Sequence, residues 1–92
     1  MTILHRDNGQ NGIFYIEQDH QIVAEMTYKW AGSTQIIIDH TEVSDLLRGT
    51  GAGKQLVARA VEFARQKGIK IIPLCPFAKS VLEKNTDYAD VL

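Results

Sequence analysis

The stretch LLRGTGAGKQLVARAVEFARQKG, residues 46–68, places three glycines at alternate positions directly before a helical pattern. Apolar residues recur at helical spacing over 54–67, and a glycine directly after such a pattern is a typical end of a helix. The sequence therefore predicts a glycine-rich loop that leads into a long amphipathic helix. The three glycines are Gly49, Gly51 and Gly53.

This loop has the chemistry of an anion-binding site. A helix N-terminus presents unpaired backbone N–H groups and the positive end of the helix dipole, and phosphate binds there readily. Glycine lets the backbone approach phosphate oxygens without an intervening Cβ and permits positive φ. Arg48 and Lys54 add positive charge at the two edges. The loop is consistent with an anion cradle or with a flexible connector between a strand and a helix.

Two common phosphate-binding motifs do not fit the loop. A P-loop needs a glycine five positions before its glycine–lysine pair and Ser or Thr after the lysine, but Arg48 and Gln55 occupy those positions. The dinucleotide motif G-x-G-x-x-G needs a third glycine, and Lys54 stands in its place. The pattern that remains is Arg48-x-x-Gly51-x-Gly53.

Alternation of apolar residues and turn signals around the loop predict an α+β fold. Three strands in series, joined by short turns, are expected to form an antiparallel meander before the loop. A short apolar strand and a second, shorter helix are expected after the long helix. Residues 1–12 are polar and receive no element. The predicted strands cover 13–18, 21–30, 34–43 and 69–74, and the predicted helices cover 54–67 and 76–85.

Length and composition favour one small domain over residues 1–92. Of the 92 residues, 45% are apolar, which is enough for one core. The formal net charge is −1 with no basic run, so we expect no nucleic-acid partner. We also expect no membrane association, since no segment reads as a membrane span or a signal peptide.

The lone cysteine, Cys75, allows no internal disulfide. Its spacing to the histidines does not suggest a metal site. A reducing, cytoplasmic compartment is therefore expected.

The motif Arg48-x-x-Gly51-x-Gly53, between a strand and an amphipathic helix, resembles the acyl-coenzyme A signature of the GNAT N-acetyltransferase superfamily. The segments DHTEV, RGTGAGKQLV and IIPLCPFA, in that order, resemble a branch of very short, single-domain GNAT-like proteins. The resemblance spans roughly residues 10–92. It implies a minimal GNAT-like fold in which strand 69–74 lies parallel to strand 34–43 and splays from it. It also implies acetyl-coenzyme A (acetyl-CoA) as cosubstrate, with no metal.

The resemblance also implies a set of coenzyme-binding residues. In the family, the backbone N–H groups of the loop hold the pyrophosphate, and the pantetheine arm enters the gap between the two splayed strands. The residues so implied are Thr41, Val43, Arg48, Gly49, Thr50, Gly51, Ala52, Gly53, Lys54 and Phe77.

Cys75 is a candidate nucleophile. Pro76 is favourable at the first position of a helix, so Cys75 is expected at the N-cap, where the helix dipole lowers the pKa of a thiol. The alternative is a buried structural cysteine. The short GNAT-like branch carries a cysteine at the matching position, where it has been proposed as an acetyl-accepting nucleophile.

His40 and Glu42 are the other candidate catalytic residues. They lie two apart near the end of a strand and share a face unless a bulge intervenes. In the superfamily this strand edge lies beside the acetyl thioester, and a bulge there is usual. The resemblance favours His40 as a base or as a partner of Cys75, with Glu42 a weaker candidate. The alternative for both is a solvated strand surface.

The expected function is acetyl transfer from acetyl-CoA to a primary amine of a small molecule or a protein lysine. Direct attack by the amine and a route through acetylated Cys75 both remain open. An ordinary GNAT domain has further segments that help to build the acceptor pocket, so the sequence does not name the amine. A monomer or a weak homodimer is expected. The alternatives are a non-catalytic acyl-CoA-binding or sensor module and a structural domain whose loop binds another anion.

Overall fold

A computed structural model describes residues 1–92 as five strands and two α-helices. Every predicted element is present within two residues of its expected bounds. A one-turn 3₁₀ segment, Asp45–Leu47, lies directly before the loop glycines. A two-turn 3₁₀ segment, Thr86–Val91, follows the second α-helix. Neither α-helix has the length and apolar character needed to cross a bilayer. The elements are β1 (Leu4–Asp7), β2 (Asn11–Gln18), β3 (Gln21–Ala31), β4 (Gln35–Val43), α1 (Ala52–Lys67), β5 (Lys70–Pro73) and α2 (Pro76–Lys84).

The strands form one mixed sheet in the order β1-β2-β3-β4-β5. The pairs β1–β2, β2–β3 and β3–β4 are antiparallel, and β5 lies parallel to β4. This parallel pair is possible because α1 returns the chain to the same end of the sheet. The α+β fold with a parallel strand after the long helix is therefore confirmed.

The antiparallel meander has four strands, one more than the sequence predicts. The additional strand is β1, and its side chains explain why a polar segment joins the sheet. His5 stacks on Phe14 with ring centroids 4.1 Å apart. The hydroxyl of Tyr28 donates to Asp7 at 2.5 Å, and Trp30 Nε1 donates to the same carboxylate at 2.9 Å. These partners are distant in sequence, so local alternation gives no sign of the strand.

The core lies between one face of the sheet and α1. Leu56 and Val57 of α1 are fully buried against sheet residues such as Met26 and Ile38. Burial of each such side chain contributes about 1.5–3 kcal/mol. Gly68 ends α1 in a left-handed conformation with φ 67°, and its N–H bonds back to the helix. The opposite face of the sheet carries no helix.

A bulge near the start of β3 changes which residues face the core. Glu17 pairs with Ile22, whereas Ile16 pairs with Ala24, so Val23 is an extra residue in the ladder. Simple alternation predicts Ile22 on the core face. In the structure, Ile22 is 49% exposed and Val23 is buried, because one inserted residue reverses the faces on one side of a bulge.

Candidate active site

The glycine-rich loop leaves the backbone N–H groups at the start of α1 free. Gly49 and Gly51 have φ values of 78° and 77°, in the left-handed region, and Gly51 is the N-cap of α1 without a side chain to cap it. The first hydrogen bond of the helix runs from Gln55 N–H to Gly51 C=O at 3.0 Å. The N–H groups of residues 51–54 therefore have no partner in the chain and can bind an anion together.

The three glycines of the loop have two different roles. A Cβ at Gly49 or Gly51 would meet nothing within 4 Å, so these two positions require glycine for their positive φ. A Cβ at Gly53 would lie 2.7 Å from Cζ of Phe77. Gly53 thus lets the first turn of α2 pack against the first turn of α1. Phe77 remains 41% exposed beside the free N–H groups.

The polar side chains of the loop differ in how they are partnered. Arg48 donates to Asp45 at 2.7 Å on the surface. The hydroxyl of Thr50 donates to the carbonyl oxygen of Leu47 at 2.6 Å and holds the turn that precedes α1. Lys54 makes no salt bridge. Lys54 is therefore the cation of the loop that is available to an anion without breaking an existing ion pair.

Strands β4 and β5 separate just before Cys75. Their last pair is Ile38 with Pro73. The carbonyl oxygen of Ile38 then accepts hydrogen bonds from the N–H groups of both Leu74 and Cys75, each at 3.0 Å. Beyond this point β4 continues to Val43 with no strand on its β5 side. The expected gap between the two strands is present.

A bulge at Asp39 turns free backbone groups of β4 toward this gap. Asp39 is an extra residue, because its two neighbours pair with consecutive residues of β3. After the bulge, Ser44 N–H bonds to β3 at 2.8 Å. Because successive residues of a strand direct their N–H and C=O groups to alternate sides, those of Thr41 and Val43 point away from β3. Both can form hydrogen bonds with an amide in the gap.

Cys75 occupies the N-cap of α2, as expected, with φ −67° and ψ 124°. Its side chain is buried, and its thiol donates to the hydroxyl oxygen of Thr41 at an Sγ–Oγ1 distance of 3.3 Å. Burial raises the pKa of this thiol, but the Thr41 hydroxyl and the backbone N–H groups of the first turn of α2, at Ala78 and Phe77, favour the thiolate and outweigh it, so the pKa is lowered overall. The thiolate is thus stabilised in a shielded position.

His40 and Glu42 share a face of β4, with Nε2 and Oε2 3.5 Å apart. Both are exposed. Thr41 pairs with the buried Met26, and directly paired residues share a face. Thr41 therefore lies on the helix-covered face, whereas His40 and Glu42 lie on the open face. The structure brings Cys75 to Thr41 and does not bring it to His40.

The pairing of Cys75 with Thr41 is the feature that sequence reasoning missed. The two residues are 34 positions apart. The resemblance points to Thr41 only through its backbone, and a threonine in a strand is ordinary. The bulge at Asp39 and the end of the β4–β5 ladder at Pro73 together determine the contact, and the bulge leaves no local signal in the sequence.

The arrangement fits a coenzyme with a pyrophosphate and a long amide-bearing arm. The free N–H groups of residues 51–54 suit the pyrophosphate, and the gap beside Thr41 and Val43 suits the amides. The first turn of α2 joins these two parts, since Phe77 contacts Gly53 and Cys75 contacts Thr41. No group of three or more His, Cys, Asp or Glu residues is placed to hold a metal ion.

Comparisons with known proteins agree with the fold and identify the family. The model of the GCN5-related N-acetyl-transferase family matches residues 13–91. A GCN5-like protein from Staphylococcus aureus, solved in solution by NMR, has a TM-score of 0.74 and 43% identity, over 96% of this chain and 85% of that one. The ribosomal-protein-alanine N-acetyltransferase of Brucella melitensis has a TM-score of 0.66 over 84% of this chain and 62% of that one, and at 16% identity it supports the fold alone.

Curated relatives match a smaller part of the chain. Protein NATD1 of Xenopus tropicalis is 29% identical over 62 residues, which are 67% of this chain and 57% of that protein. Human NATD1 is also 29% identical over 62 residues, which are 55% of the length of that protein. The chain thus spans just over half the length of these relatives. Since the family model covers most of the chain and the fold agrees, the chain belongs to the GCN5-related N-acetyltransferase family, whose cosubstrate is acetyl-CoA.

Proposed function

We propose that this chain binds acetyl-CoA and transfers its acetyl group to a primary amine. The observation that carries the proposal is the set of free N–H groups at residues 51–54, joined through the first turn of α2 to the gap between β4 and β5. Four backbone donors at a helix N-terminus suit a pyrophosphate. The gap then leads from this cradle to Cys75.

The binding roles follow from which groups are free. Lys54 adds charge beside the cradle. Glycine at 49 and 51 keeps the cradle open, and Thr50 holds the turn before it. The backbone groups of Thr41 and Val43 take the amides of the pantetheine arm. The thioester of the bound cosubstrate then lies near Cys75.

In the route through Cys75, the thiolate attacks the carbonyl carbon of the acetyl thioester. The bond from that carbon to the coenzyme sulfur breaks, the coenzyme leaves as a thiolate, and the acetyl group is carried on Cys75. The amine then attacks this second thioester, loses a proton, and releases the Cys75 thiolate. The lowered pKa of Cys75 supports this route, because it raises the fraction of nucleophile and improves the leaving group.

In the direct route, the amine itself attacks the carbonyl carbon of the thioester, a base removes the proton of the amine, and the bond from that carbon to the coenzyme sulfur breaks, so that the coenzyme leaves as a thiolate. His40 is the proposed base, with Glu42 as its hydrogen-bond partner. Both face the open side of the sheet, so this route has the amine approach from that side. Glu25 pairs directly with Glu42 across β3 and β4, which favours a cationic acceptor such as a small-molecule amine or a protein lysine.

Mass spectrometry of the intact protein after incubation with acetyl-CoA alone separates the two routes. Addition of one acetyl group to the wild type, and none to Cys75→Ala, is the result expected for the Cys75 route. An unchanged mass together with amine-dependent release of coenzyme thiol supports direct attack. If the protein is not acetylated and no coenzyme thiol is released with either small-molecule amines or a lysine-containing protein, the transfer function is contradicted.

Binding is tested separately by calorimetric titration with acetyl-CoA, with ADP as the control ligand. Gly51→Trp fills the space beside the cradle and is expected to abolish saturable binding of acetyl-CoA. Equal affinity of the wild type for ADP and for acetyl-CoA would mean that the loop binds anions in general and is not specific for the coenzyme.

A non-catalytic acyl-CoA-binding or sensor module is the second candidate. The observation that favours it is the placement of His40, which is exposed on the sheet face opposite Cys75. This candidate expects tight binding of acetyl-CoA without amine-dependent release of coenzyme thiol. For either function we propose one domain that acts in the cytoplasm as a monomer or weak homodimer.

A further inference from the structure

The sequence of β4 is compatible with two alignments against β3. In the structure, Asp39 is the extra residue of a bulge, and Thr41 pairs with Met26. A regular ladder continued from Ile38 would have no extra residue and would shift every later pair by one. His40 would then pair with Met26, at the place that Thr41 occupies. We call these two arrangements the bulged alignment and the regular alignment.

The alignment of β4 decides which side chain contacts Cys75. In the bulged alignment, Thr41 lies on the helix-covered face, and its hydroxyl oxygen is 3.3 Å from the sulfur. In the regular alignment, His40 would lie on that face, and Thr41 would turn to the open face opposite Glu25. Cys75 would then lose the hydroxyl that can donate a hydrogen bond to its thiolate.

Neither the side-chain bond at the bulge nor the charges beside it select the bulged alignment. Thr27 donates to Asp39 at an Oγ1–Oδ1 distance of 2.6 Å. In the regular alignment these two residues would be directly paired, and paired side chains are close enough for the same bond. The bulge also places Glu42 directly opposite Glu25, and like charges so placed are destabilising. Another feature of β4 therefore favours the bulge.

Two properties of His40 oppose the regular alignment. Its ring is larger than the side chain of Thr41, and a packed interior tolerates added volume poorly. The ring would also leave water, because Met26 is fully buried and Thr41 is half-buried beside the sulfur of Cys75. Burial of a polar ring costs free energy. In the bulged alignment the ring is exposed, so neither cost arises.

Glu42 opposes the regular alignment less strongly than His40 does. It would move to the place of Val43, which pairs with Ala24 at the end of β4 and is 36% exposed. A carboxylate can stay hydrated at such a position. The identity of residue 40 is therefore the main determinant of the alignment.

We propose that His40 is a positioning residue that keeps β4 in the bulged alignment and so holds the hydroxyl of Thr41 against Cys75. This role needs no proton transfer by His40. It lets a ring on the open face control the environment of a thiol on the helix-covered face. The inference rests on the proposed function, and within it on the route through Cys75, where the reactivity of this thiol matters.

His40→Val tests the inference, because valine has nearly the volume of threonine and gains free energy when buried opposite Met26. We expect this variant to adopt the regular alignment. Alkylation of Cys75 by iodoacetamide should become severalfold slower at neutral pH, and its rate profile should shift to higher pH. A change in access alone would alter the rate equally at every pH. Cross-strand nuclear Overhauser contacts report the alignment directly, since Met26 should contact Thr41 in the wild type and residue 40 in the variant.

Two further variants test the same inference from the other side. His40→Gln has a polar side chain that is too large for the place of Thr41, so it should keep the alkylation profile of the wild type. Deletion of Asp39 from His40→Val removes the extra residue, and a regular ladder then pairs Thr41 with Met26 again. This deletion should restore the wild-type profile.

Lys29→Val is the matched control. Lys29 is exposed on the open face and pairs with Ile37, before the bulge, so its replacement should leave the profile of Cys75 unchanged. The inference is overturned by wild-type contacts and an unshifted profile in His40→Val, by a shifted profile in His40→Gln, or by no recovery after deletion of Asp39. These assays contain no coenzyme, so their outcome is independent of whether acetyl-CoA acetylates the wild type, which tests the proposed function.

Discussion

The sulfur of Cys75 lies 3.3 Å from the hydroxyl oxygen of Thr41, where β4 and β5 have just separated. A hydroxyl accepts a hydrogen bond from a thiol and donates one to a thiolate. Thr41 can therefore partner Cys75 in both protonation states. This contact, and not a pairing with His40, is the chemical environment that the fold provides for the only cysteine of the chain.

Replacement of Thr41 by Val should raise the pKa of Cys75 and slow its alkylation at neutral pH severalfold. The change removes the hydroxyl that stabilises the thiolate and leaves burial, which disfavours it. In the separate variant Thr41→Ser, which keeps the hydroxyl, Cys75 should be alkylated at a rate close to that of the wild type. The measurement is the rate of alkylation by iodoacetamide as a function of pH. A Val variant whose pH profile overlays that of the wild type would contradict the assignment.

Gly51 and Gly53 should respond differently to alanine. Gly51→Ala places a side chain at a φ of 77° and should destabilise the protein by about 1 kcal/mol. Gly53→Ala gains helix propensity but pushes on the ring of Phe77, so we expect little net change in stability and weaker binding of acetyl-CoA. Urea denaturation and calorimetric titration give the two quantities. Unimpaired binding by Gly53→Ala would show that the position of the Phe77 ring does not matter to the coenzyme.

Stability should fall as the pH is lowered through the range in which His5 takes up a proton. The pKa of His5 is lowered, chiefly by burial and then by the charge of Arg59. The unfolded chain therefore binds a proton at a higher pH than the native chain. Unfolding free energy is then lost from the ordinary histidine value of 6.5 down to the lowered pKa, and the loss is constant below it.

His5→Phe, which preserves the stack on Phe14, should reduce this slope in urea denaturation between pH 7.5 and 5. His20→Asn is the control, because His20 is an exposed turn residue with positive φ, a conformation that asparagine tolerates. The same slope in His5→Phe as in the wild type would assign the effect to other groups.

Val91→Ala should destabilise the chain by about 1–2 kcal/mol, whereas Leu92→Ala should change it by less than about 0.5 kcal/mol. Val91 is 2% exposed and Leu92 is 43% exposed. The segment that carries Val91 is also held by Arg65, which donates to Asp90 at 2.8 and 2.9 Å. Thermal or urea denaturation compares the two variants, and equal effects would mean that the last residues are not docked in solution.

The sequence predicts the helices and most strands well because their signals are local. The period of α1, its terminal Gly68 and the N-cap position of Cys75 all depend on neighbours within a few residues. The same holds for the glycine-rich loop and its free N–H groups. Strand β1 escaped prediction because its stability comes from His5 and Asp7 meeting Phe14, Tyr28 and Trp30 across the sheet.

Local sequence was thus sufficient for the order of elements from β2 onward, the glycine-rich loop and the N-cap position of Cys75, since a few adjacent residues set the backbone there. The contacts that Cys75 and the first turn of α1 make with distant residues depended on the assembled sheet. The extra residue Asp39 sets which face Thr41 and His40 occupy, because a shift of one residue in a strand reverses its faces. The end of the β4–β5 ladder at Pro73 then determines that Cys75 meets Thr41, and the packing of Phe77 on Gly53 places α2 beside the cradle.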